Sequence, residues 1–216
     1  SADVKYLLSP SEIKVMTPDE IFARIQTEFT FDNFKWQQSN KVIVNEPFRA
    51  DFLNRVLFKC PACGTEGKMV GKGIFITCGN CGKQHELTED GFLKATDGDS
   101  CFTSVPDWYS WERAQIRKEI EDGTYNLDVD VDICIMKDFK ALYRVGYGHL
   151  HHDNNGFTLT GCDGKLSYTQ KPTFSHSLYS AYNWFKVGDM VCIGDSKTLY
   201  YCFPKKAGDI VAKTRI

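Results

Sequence analysis

The stretch 59–87, "KCPACGTEGKMVGKGIFITCGNCGKQHEL", holds four of the nine cysteines of this 216-residue chain. They form two Cys-x2-Cys pairs, Cys60 with Cys63 and Cys78 with Cys81, fourteen residues apart. Each pair is followed by a glycine, Gly64 or Gly82, and the first encloses Pro61. Two thiolates spaced this way can face one ion from a tight turn, and glycine supplies the positive φ at which backbone amides turn toward sulfur. Two such turns make a tetrahedral four-thiolate site with Zn–S distances of about 2.3 Å. A redox Cys-x2-Cys would need one pair only, and free core cysteines would need no spacing at all. Around the turns, "KMVGKG", "IFITC" and "KQHEL" read as short strands punctuated by Gly71 and Gly73, the layout of a zinc ribbon. A fragment of roughly 35 residues has too little core to fold alone, so the ion supplies the missing stability. Four sulfurs close the coordination shell, which makes the expected Zn²⁺ structural and not catalytic.

The rest of the composition is that of a soluble globular protein, with 42% hydrophobic, 25% charged and 13% aromatic residues. No apolar run approaches the roughly 20 residues of a membrane span, and no charged start precedes an apolar stretch and a cleavage site. An odd number of cysteines argues against a fully paired disulfide framework, so a reducing cytoplasm is the expected setting. Net charge is −2 and evenly spread, with eight cationic and eight anionic side chains in residues 1–59 and four of each in 60–96. No basic stripe of the kind that binds phosphates is visible, which weighs against the alternative of a nucleic-acid-binding ribbon. The chain opens on Ser1 and not on methionine, which suggests a processed or truncated product.

The N-terminal part reads as helical. In "TPDEIFARIQTEF", Thr17 is an N-cap, Pro18 the first helical residue and Glu20 the third, a capping box. Ile21, Phe22, Ile25 and Phe29 recur on one side. A second short helix is expected across "PFRADFLNRVLF". After the ribbon, "GFLKATDGDSCF" is loop-like with one strand. A further helix runs from about Asp107 to Asp122 and ends at Gly123, with Trp108, Trp111 and Ile116 available to dock on a sheet. From Tyr125 the period changes to two. Leu127, Val129, Val131, Ile133 and Ile135 share one face of "LDVDVDICIM". Further strands are expected at "ALYRVGYGHLHH", "GFTLTG", "KLSYTQ", "DMVCIG" and "TLYYCFP", with turns at Asn155-Gly156, Asp163-Gly164 and Gly194-Asp195. The fold class is α+β: an N-terminal helical segment (1–57), a zinc ribbon (58–96), and a C-terminal domain of one helix and an antiparallel β-meander (97–216).

Other groups invite chemistry. Asp128, Asp130 and Asp132 alternate on one strand face but lack the glycine and glutamate of an EF-hand loop, having Ile133 and Phe139 there, so a solvated face is expected. His149, His151 and Asp153 alternate beside His152; two imidazoles at i and i+2 can chelate a metal or act as acid and base. Cys134, Cys192 and Cys202 lie in apolar strands as small hydrophobes, while Cys101 and Cys162 fall in loops. His85 and Asp90 match H-x4-D, a glycerolipid acyltransferase signature. The match lies four residues after the last ligand and lacks the motifs that follow in such enzymes, so it is read as coincidence.

The strings "TFDNFKWQQSNKV", "EPFRADFLNRVLFKCPACGTEGKM", "VPDWYSWERAQIRKEIEDGTYNLDVDVDICI" and "GFTLTGCDGKLSYTQKP" resemble the C-terminal region of a bacterial group of 1-acyl-sn-glycerol-3-phosphate acyltransferases, of the lysophospholipid acyltransferase family. The resemblance spans essentially the whole chain. It implies that "DVKYLLSPSEI" closes a catalytic domain whose reacting His and Asp lie upstream of Ser1. The parent reaction would move an acyl group from acyl-CoA or acyl carrier protein to lysophosphatidic acid. Of that family's features only the four cysteines carry over to positions here, and no catalytic residue does. The implied role is non-catalytic scaffolding, or binding of a partner or lipid headgroup. Implied partners are the upstream domain of the same polypeptide and a membrane surface or acyl carrier, with no nucleic acid, and an association with the inner membrane face through the parent protein.

Overall fold

The structure, a computed structural model, describes residues 4–137, 140–174, 178–205 and 210–214. Its contacts divide the chain into two compact units, Ser1–Val42 and Ile43–Ile216. The division falls after Val42, ahead of the boundary at residue 57 that the sequence suggests.

In the first unit, α1 spans Pro10–Val15, α2 Pro18–Phe29 and α3 Asn33–Ser39. Thr17 caps α2 as its sequence requires: the Glu20 N–H donates to Thr17 Oγ1, and the Thr17 N–H donates back to Glu20 Oε2 at 2.7 Å. Ser9 and Glu12 repeat the arrangement on α1. Phe22 and Phe29 remain 65% and 83% exposed, and none of the three helices buries a residue.

In the second unit the helix expected across "PFRADFLNRVLF" does not form. Residues 47–52 run as successive turns and only Leu53–Arg55 make one 3₁₀ turn. Two of the amides that a helix would have used internally pair instead with the ribbon. The Ala50 N–H donates to the Gly73 carbonyl at 2.9 Å and that of Phe52 to Gly71 at 3.2 Å, while Asn54 Oδ1 accepts from the Gly71 N–H at 3.0 Å. This approach is close enough that a side chain on Gly71 would collide with the Ala50 carbonyl, so tertiary pairing overrides helix propensity here.

The ribbon is a four-stranded antiparallel sheet in the order β1 (Met69–Lys72), β2 (Phe75–Cys78), β3 (Gln84–Leu87), β4 (Leu93–Ala95). Helix α4, Val105–Glu121, follows; Ser104 caps it and Gly123, at φ 69°, lies just beyond its end. Trp108, Glu112 and Ile116, four residues apart, form its buried stripe.

The remaining strands make one seven-stranded antiparallel sheet. They are β5 (Leu127–Lys137), β6 (Ala141–Asp153), β7 (Gly156–Gly161), β8 (Leu166–Gln170), β9 (Tyr179–Trp184), β10 (Gly188–Gly194) and β11 (Leu199–Pro204). Their order is β8-β7-β6-β5-β11-β10-β9, so the chain builds outward from β5 and returns to its other edge. The inner face buries Leu127, Val129, Val131, Ile133, Leu150, Leu159, Val191, Ile193 and Cys202 together with Phe58 and Ile116. The buried helix α5, Ile210–Thr214, adds Ile210, Val211 and Ala212 to this core. On the other face Cys134, Met190, Cys192, Tyr201 and Phe203 form a second apolar cluster under Trp184. Strand β10 lies where "DMVCIG" places it, but β9 and the turn joining the two carry no usual sequence signal: Asn183, Phe185 and Lys186 take positive φ where glycine or asparagine-glycine would announce a turn. Among the described residues no helix is long and apolar enough to cross a membrane.

Gly148 and Gly161 face each other across β6 and β7, and Ile133 Cδ1 reaches into the space they leave. A methyl on Gly148 would strike both that atom and the Thr160 carbonyl. Gly148→Ala is therefore expected to destabilise by about 1–3 kcal/mol or more, read as a fall of several degrees in thermal midpoint; an unchanged midpoint would contradict the packing described.

Candidate metal centre

The two cysteine turns are built alike. In the first, the Cys60 N–H donates to the Thr65 carbonyl at 2.9 Å and the Gly64 N–H to the Cys60 carbonyl at 2.8 Å; in the second, Cys78 and Lys83, and Gly82 and Cys78, repeat these bonds at 2.9 Å each. Gly64 and Gly82 sit at φ 71° and 76° with nothing near an added Cβ, so it is backbone conformation and not space that calls for glycine.

The turns bring all four sulfurs within 4.8 Å of one another. Cys60 Sγ lies 3.7 Å from Cys81 Sγ, and Cys63 Sγ 3.7 Å from Cys78 Sγ. A disulfide would require about 2.05 Å, and all nine cysteines are free. Burial pushes the Cys60 thiol up to about 12, while Thr65 and neighbouring donors hold Cys63 down at about 6. Left without a cation, the quartet would keep protons on some of its sulfurs; a metal ion is what makes all four thiolates at once.

The residue before the first ligand is gripped from several sides. The Lys59 N–H donates to Glu112 Oε1 at 2.7 Å, and Trp108 Nε1–H donates to the Lys59 carbonyl at 3.0 Å. Lys59 Nζ pairs with Glu66 and with Glu119 of α4, 3.1 Å each, and Glu66 also takes Lys213 of α5 at 2.7 Å. Glu112 is fully buried, and its Oε2 has no protein partner.

His85 and Asp90 are not brought together as a catalytic pair. His85 is fully buried with neither ring nitrogen hydrogen-bonded, its ring edge-on to Trp108 at 5.2 Å, and burial lowers its pKa. Asp90 instead accepts from the Thr88 hydroxyl on the following turn. Burial also pushes Cys192 up to about 11 and raises Cys134 and Cys202, which keeps these thiols protonated as packing residues. Cys101 is exposed, and Cys162 lies in the turn after β7.

The two surface motifs that the sequence presents separately prove to be one. Register pairs Asp128 with His151 and Asp130 with His149. Asp128 Oδ1 lies 2.8 Å from His149 Nε2 and 2.9 Å from His151 Nδ1. The outer nitrogens meet Asp130 at 3.4 Å and Asp153 at 3.3 Å. Asp132 pairs with Arg144 at 3.1 Å. The solvated face expected of the three aspartates is thus exposed but not unpartnered. His152 points the other way, stacked on Phe157 at 3.7 Å with the Tyr125 hydroxyl 3.0 Å from its Nδ1, and burial pushes its pKa down to about 4. No spacing rule could have joined the motifs, since the register of β5 on β6 depends on a bulge near Ile133.

Comparison with known proteins returns no matching family model, no matching curated protein and no matching solved structure.

Burial pushes the Glu112 carboxyl up to about 8, against an ordinary value of 4.5. A carboxyl raised on folding contributes most below its unfolded pKa and loses that contribution as pH rises through the folded one. Glu112→Gln, which keeps an acceptor for the Lys59 N–H, should match the parent at acid pH and exceed it by about 1–3 kcal/mol above pH ~8.5. Denaturant melts at both pH values check this, and a constant difference would refute it. For the surface histidines, Asp128 raises the pKa of both His149 and His151. Their NMR titration midpoints are expected above the ordinary value of 6.5 while that of His152 falls near 4, and Asp128→Asn should bring the first two back down.

Proposed function

We propose that the four cysteines hold one structural Zn²⁺ and that this chain is a non-catalytic, metal-stapled region that presents its β-sheet to a partner. The observation that carries the metal reading is the sulfur geometry. Four Zn–S bonds of about 2.3 Å at tetrahedral angles give sulfur–sulfur edges of roughly 3.8 Å, and Cys60–Cys81 and Cys63–Cys78 both stand at 3.7 Å. An all-thiolate tetrahedron suits zinc or iron; zinc is favoured because the site closes a ribbon and no second function is asked of it. With the shell filled by sulfur, the ion has no position for water or substrate and acts through stability.

The finer reading rests on the resemblance of the four long strings to the C-terminal region of bacterial lysophospholipid acyltransferases. In it, acyl transfer to lysophosphatidic acid belongs to a domain encoded upstream, the ribbon and sheet serve as its rigid extension, and the partners are that domain and a lipid headgroup, membrane surface or acyl carrier. The even charge distribution supports this over a nucleic-acid role.

Elemental analysis of freshly purified protein should give one zinc and no iron per chain, and Cys60→Ser or Cys78→Ser should lose both the metal and the cooperative melt. Iron, or no metal at all, would overturn the zinc assignment. Acyl transfer to lysophosphatidic acid by the purified chain alone would overturn the non-catalytic reading.

A further inference from the structure

On the outer face of the large sheet two imidazoles and three carboxylates gather within hydrogen-bonding reach of one another. Asp128 Oδ1 is the meeting point of two imidazoles, His149 through Nε2 at 2.8 Å and His151 through Nδ1 at 2.9 Å. The opposite nitrogen of each ring is backed by its own carboxylate, Asp130 behind His149 at 3.4 Å and Asp153 behind His151 at 3.3 Å. A carboxylate on the far nitrogen is the outer-shell device that orients and strengthens a metal-ligating histidine. Here it occurs twice, around a shared centre.

The charge inventory points the same way. Each neutral imidazole has a single N–H, yet each ring faces carboxylate oxygens at both nitrogens, so two of the four contacts lack a hydrogen unless positive charge is added. Protonation of both rings, whose pKa values Asp128 raises, supplies that charge, and one divalent cation supplies it in place of those protons. Imidazole nitrogen with carboxylate oxygen is the donor set of borderline ions such as Zn²⁺, Ni²⁺ or Cu²⁺, whereas Ca²⁺ and Mg²⁺ ask for oxygen throughout.

The scaffold is rigid where this requires it. The four central groups sit on β5 and β6, the sheet's longest strands at 11 and 13 residues, in directly opposed pairs whose Cβ atoms stand about 4.5–5.5 Å apart. Side-chain rotation alone therefore gathers the ligands, and at 46% and 32% exposure His149 and His151 are open to an ion from solvent. Beside them lies a shallow groove of about 650 Å³ lined by Asp130, Tyr147, His149, Thr160, Ser167 and Lys205.

We propose that His149, His151 and Asp128 form a second metal site on this face, taking one divalent transition-metal ion as a two-histidine, one-carboxylate centre oriented by Asp130 and Asp153. Unlike the cysteine centre, it would leave coordination positions open to solvent.

The test uses the untagged 216-residue chain with its cysteine site already zinc-loaded, and Ni²⁺ as the probe. Calorimetry should show one further equivalent bound, with paramagnetic broadening of amide NMR signals centred on residues 128–130 and 149–153. His149→Ala with His151→Ala should abolish that equivalent while leaving the ribbon zinc and the thermal melt in place. Asp153→Asn, which removes only the support behind His151, should weaken binding by about 10-fold or more. No further equivalent, or one that survives the double substitution or broadens signals elsewhere, would overturn the proposal.

Discussion

Lys59, one residue before the first cysteine ligand, is the point on which the second unit depends. Helix α4 receives its N–H on Glu112, donates to its carbonyl from Trp108, and meets its ammonium with Glu119. These three side chains lie on one helical stripe, at steps of four and seven residues, so a single face of α4 fixes both the backbone and the side chain of Lys59. Glu66, from the other limb of the first cysteine turn, joins the same ammonium and adds Lys213 of α5. An ion held at Cys60 is thereby tied to the helices that cover the large sheet. The ribbon is not an appendage on a linker but part of the same packed body.

That linkage comes at a cost, and the cost is local. Glu112 is buried with one oxygen unpartnered, and His85, against the same Trp108, has neither nitrogen satisfied. Both orphans line the seam between ribbon and α4. Burying polar groups without partners is tolerated where the surrounding contacts are strong enough to offset it, and here Trp108, Phe58 and Ile116 are all essentially inaccessible to solvent. The H-x4-D coincidence dissolves for the same reason: His85 is a buried surface of the seam, not a base poised toward a hydroxyl.

The large sheet divides labour between its faces and along its length. Its inner face is continuous core. Its outer face is apolar near Cys134, Met190, Cys192 and Tyr201, and polar where Asp128, Asp130, His149 and His151 meet. Glycines at 148 and 161 make the polar half possible by letting Ile133 fill the inner side of the sheet there, while the outer side stays shallow and open to solvent. The strand that carries the acids on one face thus carries on the other the core residues that hold their register.

Local patterns were enough for whatever a few neighbouring residues decide. The two Cys-x2-Cys-Gly turns, the Thr17–Glu20 capping box, the Gly123 stop of α4 and the period-two strands from Leu127 onward could all be read from spacing, because each rests on φ preferences, short hydrogen bonds or alternation within about ten residues. What lay beyond reach depended on partners distant in the chain. Residues 47–58 give up a plausible helix because β1 and the turn after it offer two of their amides partners, and the β9–β10 turn uses Phe185 and Lys186 in a conformation that their identity does not advertise. The joining of Asp128 to His149 and His151 waits on strand register, which is set by a bulge and by the core beneath. A one-residue slip there would send every one of those side chains to the opposite face.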